Sequence, residues 1–211
     1  MPGDVAVVSG GSGARRRSPA LVSELILQAA ERLFAQHGYR GTSLRDIAVE
    51  AGVAESQIIR KFGSKAELFT QAVREPFARY IDEFYATWQS RTGEPISGEE
   101  LTRRFVGGMF DLFAEHRRLL VALVSSNAFV HEVRDLGLGP ALRKMEAIQA
   151  IEVERGGLHS ISPLTIRTLV GMVMSIVICG DFVYAPDEPR PSRDELVEEI
   201  IAITVHGLDR H

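Results

Sequence analysis

Apolar side chains recur at three- and four-residue intervals along most of the chain, and no run alternates with the period of two that a half-buried strand needs. Leu25, Ala29, Leu33 and Phe34 mark the first stripe; Ser18 and Pro19 supply an N-cap and an N1 proline before it, and Gly38 ends it. Leu44, Ile47 and Ala48 form a short second stripe from Ser43 to about Ala51, broken by Gly52, and a third short helix spans about Ala54 to Phe62. The pattern S-x-x-E at Ser64–Glu67, Ser97–Glu100 and Ser192–Glu195 reads as three capping boxes, the first two opening helices to about Arg91 and Glu115. The spacing predicts helix over 117–135 with a break near Asn127, a helix from Pro140 ended by Gly156 and Gly157, and one from Ser162–Pro163 to about Tyr184. Pro186, Pro189 and Pro191 make 185–191 a loop. The expectation is an all-α protein of about nine helices without an internal repeat.

Composition supports a folded globular chain of one or two domains, with 211 residues, 45% hydrophobic and 25% charged. The most apolar stretch lies between Arg167 and Asp181; thirteen residues fall short of the ~20 that span a bilayer, so a buried helix and no membrane partner are expected. Residues 1–17 are Gly-rich, end in Arg15, Arg16 and Arg17 and lack an apolar run, so they read as a disordered basic arm rather than a signal peptide. Cys179 is the single cysteine, which excludes a disulfide within the chain and fits the cytoplasm. Net charge is −4, but residues 1–75 carry ten basic and eight acidic side chains and the rest fourteen and twenty. A mildly basic first third on an acidic remainder hints at nucleic-acid contact at one end. No G-x-S-x-G, P-loop or G-x-G-x-x-G turn is present, and Gly10–Gly13 follows no strand. His131-Glu132 has no second His at i+4, and Cys179 sits in an apolar helix, so neither an enzyme, a metal site nor a cofactor is expected.

The informative segment is 25–69. Two short helices joined by Ala51-Gly52-Val53 form a helix-turn-helix, with glycine where the backbone turns sharply. Ile47, Ala48 and Val53 pack the pair together and Ile58 and Phe62 point back to the first helix, which leaves Glu55, Ser56, Gln57, Ile59, Arg60 and Lys61 outside. A helix of this size with such a face enters a DNA major groove. Gln57 can pair with adenine, Glu55 can accept from a cytosine amine, and Thr42, Ser43 and Arg45 open the preceding helix near the backbone phosphates. Lys65 stands in the first turn of the fourth helix, where a cation opposes the helix dipole, so local stability does not explain it.

The run Ala29-Ala30, Leu33-Phe34, Gly38-Tyr39, Thr42, Ile47-Ala48, Ala51-Gly52-Val53, Phe62, Ser64-Lys65 and Leu68 resembles the N-terminal domain of the TetR family of transcriptional regulators. The resemblance implies three N-terminal helices on DNA, then a larger helical domain that binds a ligand and dimerises, and a repressor more often than an activator. It also implies that Lys65 and its helix terminus share one phosphate. The chain departs from the family pattern at Ala54, where Ser or Thr is usual, at Ile59, usually an aromatic that touches phosphate, at Lys61, usually His, and at Gly63, usually Pro. The expected division is an arm at 1–17, a DNA-binding domain at 18–63 and a regulatory and dimerisation domain at 64–211. The alternative, supported by Ile59 and Glu55, is a helical ligand-binding or adaptor protein whose DNA readout has decayed.

In the C-terminal part, Phe105, Met109, Phe110 and Phe113 repeat at helical spacing. Trp88, Phe110, Phe113 and Met172 are candidates to line a largely apolar effector pocket of ~300 Å³ or more, or to fill a solid core. His116, Asn127, His131 and Asp181 are the polar groups that could orient a ligand, and each also fits a surface or a satisfied core position. Gly171, Ser175 and Cys179 form a strip of small residues, and the last helix, with Ile200, Ile201 and Val205, holds more apolar positions than one core-facing stripe needs. Together they predict a homodimer on a two-fold axis near Ser175, matched to a palindromic double-stranded DNA operator.

Overall fold

The computed structural model describes residues 18–125, 138–156, 162–185 and 187–206. Nine α-helices and no strand occur among them. They are α1 (Pro19–Gly41), α2 (Leu44–Ala51), α3 (Glu55–Phe62), α4 (Lys65–Gln89), α5 (Gly98–Glu115), α6 (Arg117–Ser125), α7 (Gly139–Glu154), α8 (Pro163–Val183) and α9 (Arg193–Ile201), the last followed by a π-helical turn, Ala202–His206. The arm at 1–17, the expected break at Asn127, His131, Gly157 and Pro186 lie outside the described residues.

Local chemistry sets the boundaries. The hydroxyls of Ser18, Ser64, Ser97 and Ser192 accept from the backbone N–H groups of Leu21, Glu67, Glu100 and Glu195. At Ser192 the Glu195 carboxylate returns the bond to the Ser192 N–H at 2.7 Å, closing a full capping box. Gly38 and Gly52 take φ values of 70° and 62°, which a side chain would strain, and there α1 leaves its helical path and α2 stops. Helix α4 continues through Pro76, whose missing N–H leaves the Ala72 carbonyl without its helical donor.

One core runs through the molecule. Ile26, Ala29, Ala30 and Phe34 of α1 are buried with Ile47, Ile58, Phe62, Leu68 and Phe69 from α2, α3 and α4. Phe34 meets Phe69 edge-on at 4.8 Å between ring centroids, and Tyr39 lies 5.0 Å from Phe69. Helix α1 packs along α4 and α6 as well as α2, α4 lies against α7, and α5 contacts both α8 and α9. The Arg193 guanidinium grips both oxygens of Asp111 at 2.6 and 2.7 Å, fastening the start of α9 to α5.

Helix α8 departs from the buried helix expected of it. Only 33% of the apolar stretch within Leu164–Val183 is buried, and by length and composition it is long enough to cross a membrane. Counting residues between Arg167 and Asp181 understated it, because both charged side chains point outward and pair, with Glu146 and with Arg117 and Arg190, while the helix runs past them. Ile166, Leu169, Val173, Val177 and Ile178 anchor one side in the core. Leu164, Phe182 and Val183 are 69%, 89% and 70% exposed.

Candidate functional site

The helix-turn-helix is assembled on α1. An ion pair between Arg32 and Glu50, 3.0 Å apart, ties the end of α2 to α1. Thr42, expected at phosphate, is buried: its hydroxyl lies 3.1 Å from the Leu33 carbonyl and 2.9 Å from that of Gly38 and locks the α1–α2 corner. The Ser43 hydroxyl donates to the Asp46 carboxylate at 2.6 Å and accepts from the Asp46 N–H, which holds the Asp46 carboxyl below its usual value. Arg45 is exposed on α2.

On α3, Ile58 and Phe62 face inward as expected, and Glu55, Ser56, Ile59 and Arg60 form one exposed face. Two other expected readers are turned to internal work. The Gln57 side-chain carbonyl accepts from the Ala54 N–H at 3.2 Å, the return half of a capping box whose other half Ala54, with no side-chain acceptor, cannot make. Lys61 reaches back to α1, its ammonium donating to the Pro19 carbonyl at 2.7 Å and the Ser23 hydroxyl at 2.6 Å. A donor aimed there serves the packing of α3 on α1 rather than a phosphate. Lys65, in the first turn of α4, holds its ammonium 4.4 Å from the centre of the Tyr39 ring.

Beyond this unit lies an apolar cavity. Val73, Pro76 and Phe77 of α4, Leu112 and Phe113 of α5, Leu120 and Leu123 of α6, Leu138, and Val170 and Met174 of α8 line it with His116. Of the expected lining residues it contains Phe113 alone, and of the expected polar groups His116. Trp88 is 2% exposed and donates its indole N–H to Glu152 at 2.9 Å, which makes it part of a polar cluster in the core. Phe110 and Met172 pack against the core elsewhere, and Asp181 is exposed between Arg117 and Arg190. The cavity holds about 50 Å³ as its side chains stand, well below the ~300 Å³ expected of a ligand pocket.

His116 is the polar member of that wall. Its Nδ1 lies 2.7 Å from Glu31 Oε1 on α1, so a cavity residue is bonded directly to the helix that carries the helix-turn-helix. Sequence reasoning missed Glu31, since nothing in its neighbourhood sets it apart from any other exposed helical glutamate.

The expected interface between chains is partly occupied by the chain's own packing. Ile200 and Ile201 are 1% and 2% exposed in the core, because α9 turns that face to α5. Ser175 is exposed, Gly171, Cys179 and Val205 are half-buried, and a Cβ built on Gly171 would meet nothing within 4 Å.

Comparison with known proteins agrees with this geometry. The family described as bacterial regulatory proteins, tetR family, matches residues 26–72, from the body of α1 into α4. The HTH-type transcriptional regulator YerO of Bacillus subtilis is 26% identical over 104 residues, covering 49% of this chain and 35% of that protein. The HTH-type transcriptional repressor AcnR of Corynebacterium efficiens is 41% identical over 57 residues, 27% of this chain and 30% of that one. The chain thus spans about a third of the length of these relatives. The fold extends further: the transcriptional regulator FadR from Bacillus subtilis, solved in complex with stearoyl-CoA, superposes with a TM-score of 0.62 at 18% identity, covering 87% of this chain and 98% of that one. The matched residues are those that build the three-helix unit and seat it on α4, so over residues 26–72 the chain is similar to the tetR family of bacterial regulatory proteins.

Proposed function

We propose that the chain is a ligand-responsive transcriptional repressor that acts in the cytoplasm, binds a palindromic DNA operator as a homodimer and is released by a small, largely apolar molecule. The observation that carries this reading is the exposed face of α3, where Glu55, Ser56, Ile59 and Arg60 stand together on a helix short enough to lie in a major groove. Arg45 and Lys65 flank it as phosphate ligands.

The case for a dimer is the uncovered side of α8. Leu164, Thr168, Gly171, Ser175 and Phe182 follow one another at helical spacing on that side, and Ile203 beyond α9 is 52% exposed. A strip with Leu164 and Phe182 exposed at its ends and small side chains between them lets a partner helix approach closely, and a second copy meeting it on a two-fold axis matches a two-fold operator.

The case for an effector is the cavity and what its wall touches. An apolar occupant must widen the 50 Å³ space by moving α4, α6 or α8. Helix α1 rides on α4 and α6 and is bonded to His116, so such movement changes the separation of the two recognition helices. DNA binding requires that separation to be about one turn, ~34 Å. The ligand then lowers DNA affinity by the difference between its affinities for the two states. The long acyl chain bound by FadR is one chemistry that suits such a lining.

The test uses full-length protein and a random-sequence duplex library. Selected duplexes should contain an inverted repeat, bind less tightly as salt rises, and be released by stearoyl-CoA or another apolar probe. A library that emerges unenriched sinks the reading.

A further inference from the structure

We infer that Ile59 is a specificity-determining residue whose side chain packs on the C5-methyl group of a thymine, so that each operator half-site contains one thymine read by apolar contact. The inference rests on the proposed DNA-binding function and names what one position of that interface recognises.

Elimination narrows the readout. Six side chains of α3 are candidates by sequence pattern, but the Gln57 side-chain carbonyl holds the Ala54 N–H and the Lys61 ammonium is spent on Pro19 and Ser23. The direct readers that remain are a carboxylate, a hydroxyl, a branched alkyl group and a guanidinium. A bidentate pairing of Gln57 with adenine would have to share or give up the amide oxygen that holds the Ala54 N–H.

Ile59 is 49% exposed, while its neighbour Ile58 is 0% exposed, so the chain uses one isoleucine to fill the core and turns the next outward. Glu55 and Ser56 lie one turn before it and Gly63 one turn after, all exposed. A Cβ built on Gly63 would meet nothing within 4 Å, so the approach to Ile59 from that side is open. An alkyl group can neither donate to a phosphate nor bond a base edge. The apolar group that a major groove offers is the thymine methyl. Glu55, which repels phosphate, and Arg60 are suited to the amine of cytosine and the acceptors of guanine, so the thymine falls among G·C positions.

Full-length protein and a duplex it has selected provide the test. Each dT of a half-site is replaced in turn by dU, which removes the methyl and keeps the base pairing. One replacement per half-site should weaken binding about fourfold, the equivalent of about 0.8 kcal/mol for one buried methyl-sized group. Ile59→Ala should bind the dT and dU duplexes alike, and Ile59→Val should restore part of the difference. The side chain is half exposed, so neither variant disturbs the fold. Selective binding that no dU replacement alters, or an Ile59→Ala protein that keeps the full penalty, overturns this inference alone. A protein that selects no duplex overturns it together with the function on which it rests.

Discussion

Lys61 shows why a residue's role is the hardest thing to read from its neighbours. Its place before Phe62 suggests a DNA contact, yet its partners stand 42 and 38 positions earlier in the chain. The side chain is long enough to point either way, and only the seating of α1 on α3 decides. Lys65, by contrast, is the phosphate ligand proposed, and Lys65→Ala should weaken binding to all duplexes alike and lower the slope of log affinity against log salt by about 2, one contact from each copy of the proposed dimer. An unchanged slope, measured by anisotropy titration at several salt concentrations, would remove that assignment. Glu152 was illegible for the same reason as Lys61. It is 0% exposed and accepts from Trp88 and Arg155 at 2.9 Å and from the Ile96 N–H at 3.4 Å. Burial pushes its carboxyl up, but the three donors outweigh burial and hold it below the ordinary 4.5. A value depressed by folding means stabilisation that is complete above the unfolded pKa and is lost as pH falls through and below 4.5. Glu152→Gln should cost about 1–2 kcal/mol at neutral pH and lose part of the acid destabilisation seen in the parent protein. Denaturant melts with the same acid limb in both proteins would contradict it.

At the level of elements, the chain announces what is local and hides what is mutual. Serine caps, Gly38 and Gly52 act through their own backbone, so helix number, order and most ends are legible before any contact is known. Which side of a helix is covered depends on its neighbours, and there the expectation for α8 and α9 went astray. Trp88, large and apolar enough to wall a pocket, is claimed by a carboxylate 64 positions away. The contact between α1 and the α5–α6 junction is another mutual feature. If the Glu31–His116 bond transmits cavity occupancy, Glu31→Ala and His116→Ala should each shift affinity for a selected duplex, and the double variant should shift it no further than one of them does. A coupling of about 0.5–3 kcal/mol in that double-mutant cycle is expected. Strict additivity would show that the two residues act separately.

Across the whole molecule, the proposed homodimer accounts for both the open side of α8 and the exposed face of α3: a second copy would cover the first and place the second on symmetric DNA. Ser175→Arg puts a long cation on the open strip beside Gly171, where the proposed second copy would approach closely. The variant should remain folded and sediment as a monomer, with operator affinity lost because one half-site holds weakly. A wild-type monomer at micromolar concentration, or an unchanged dimer in the variant, would count against this interface. The most direct measurement is hydroxyl-radical footprinting of the full-length protein on a duplex it has selected. Two protected stretches related by a two-fold axis, with centres about one helical turn (~34 Å) apart, are expected, and both should fade together in Arg60→Ala. A single protected stretch, or protection indifferent to Arg60, would contradict a dimer that reads DNA through α3.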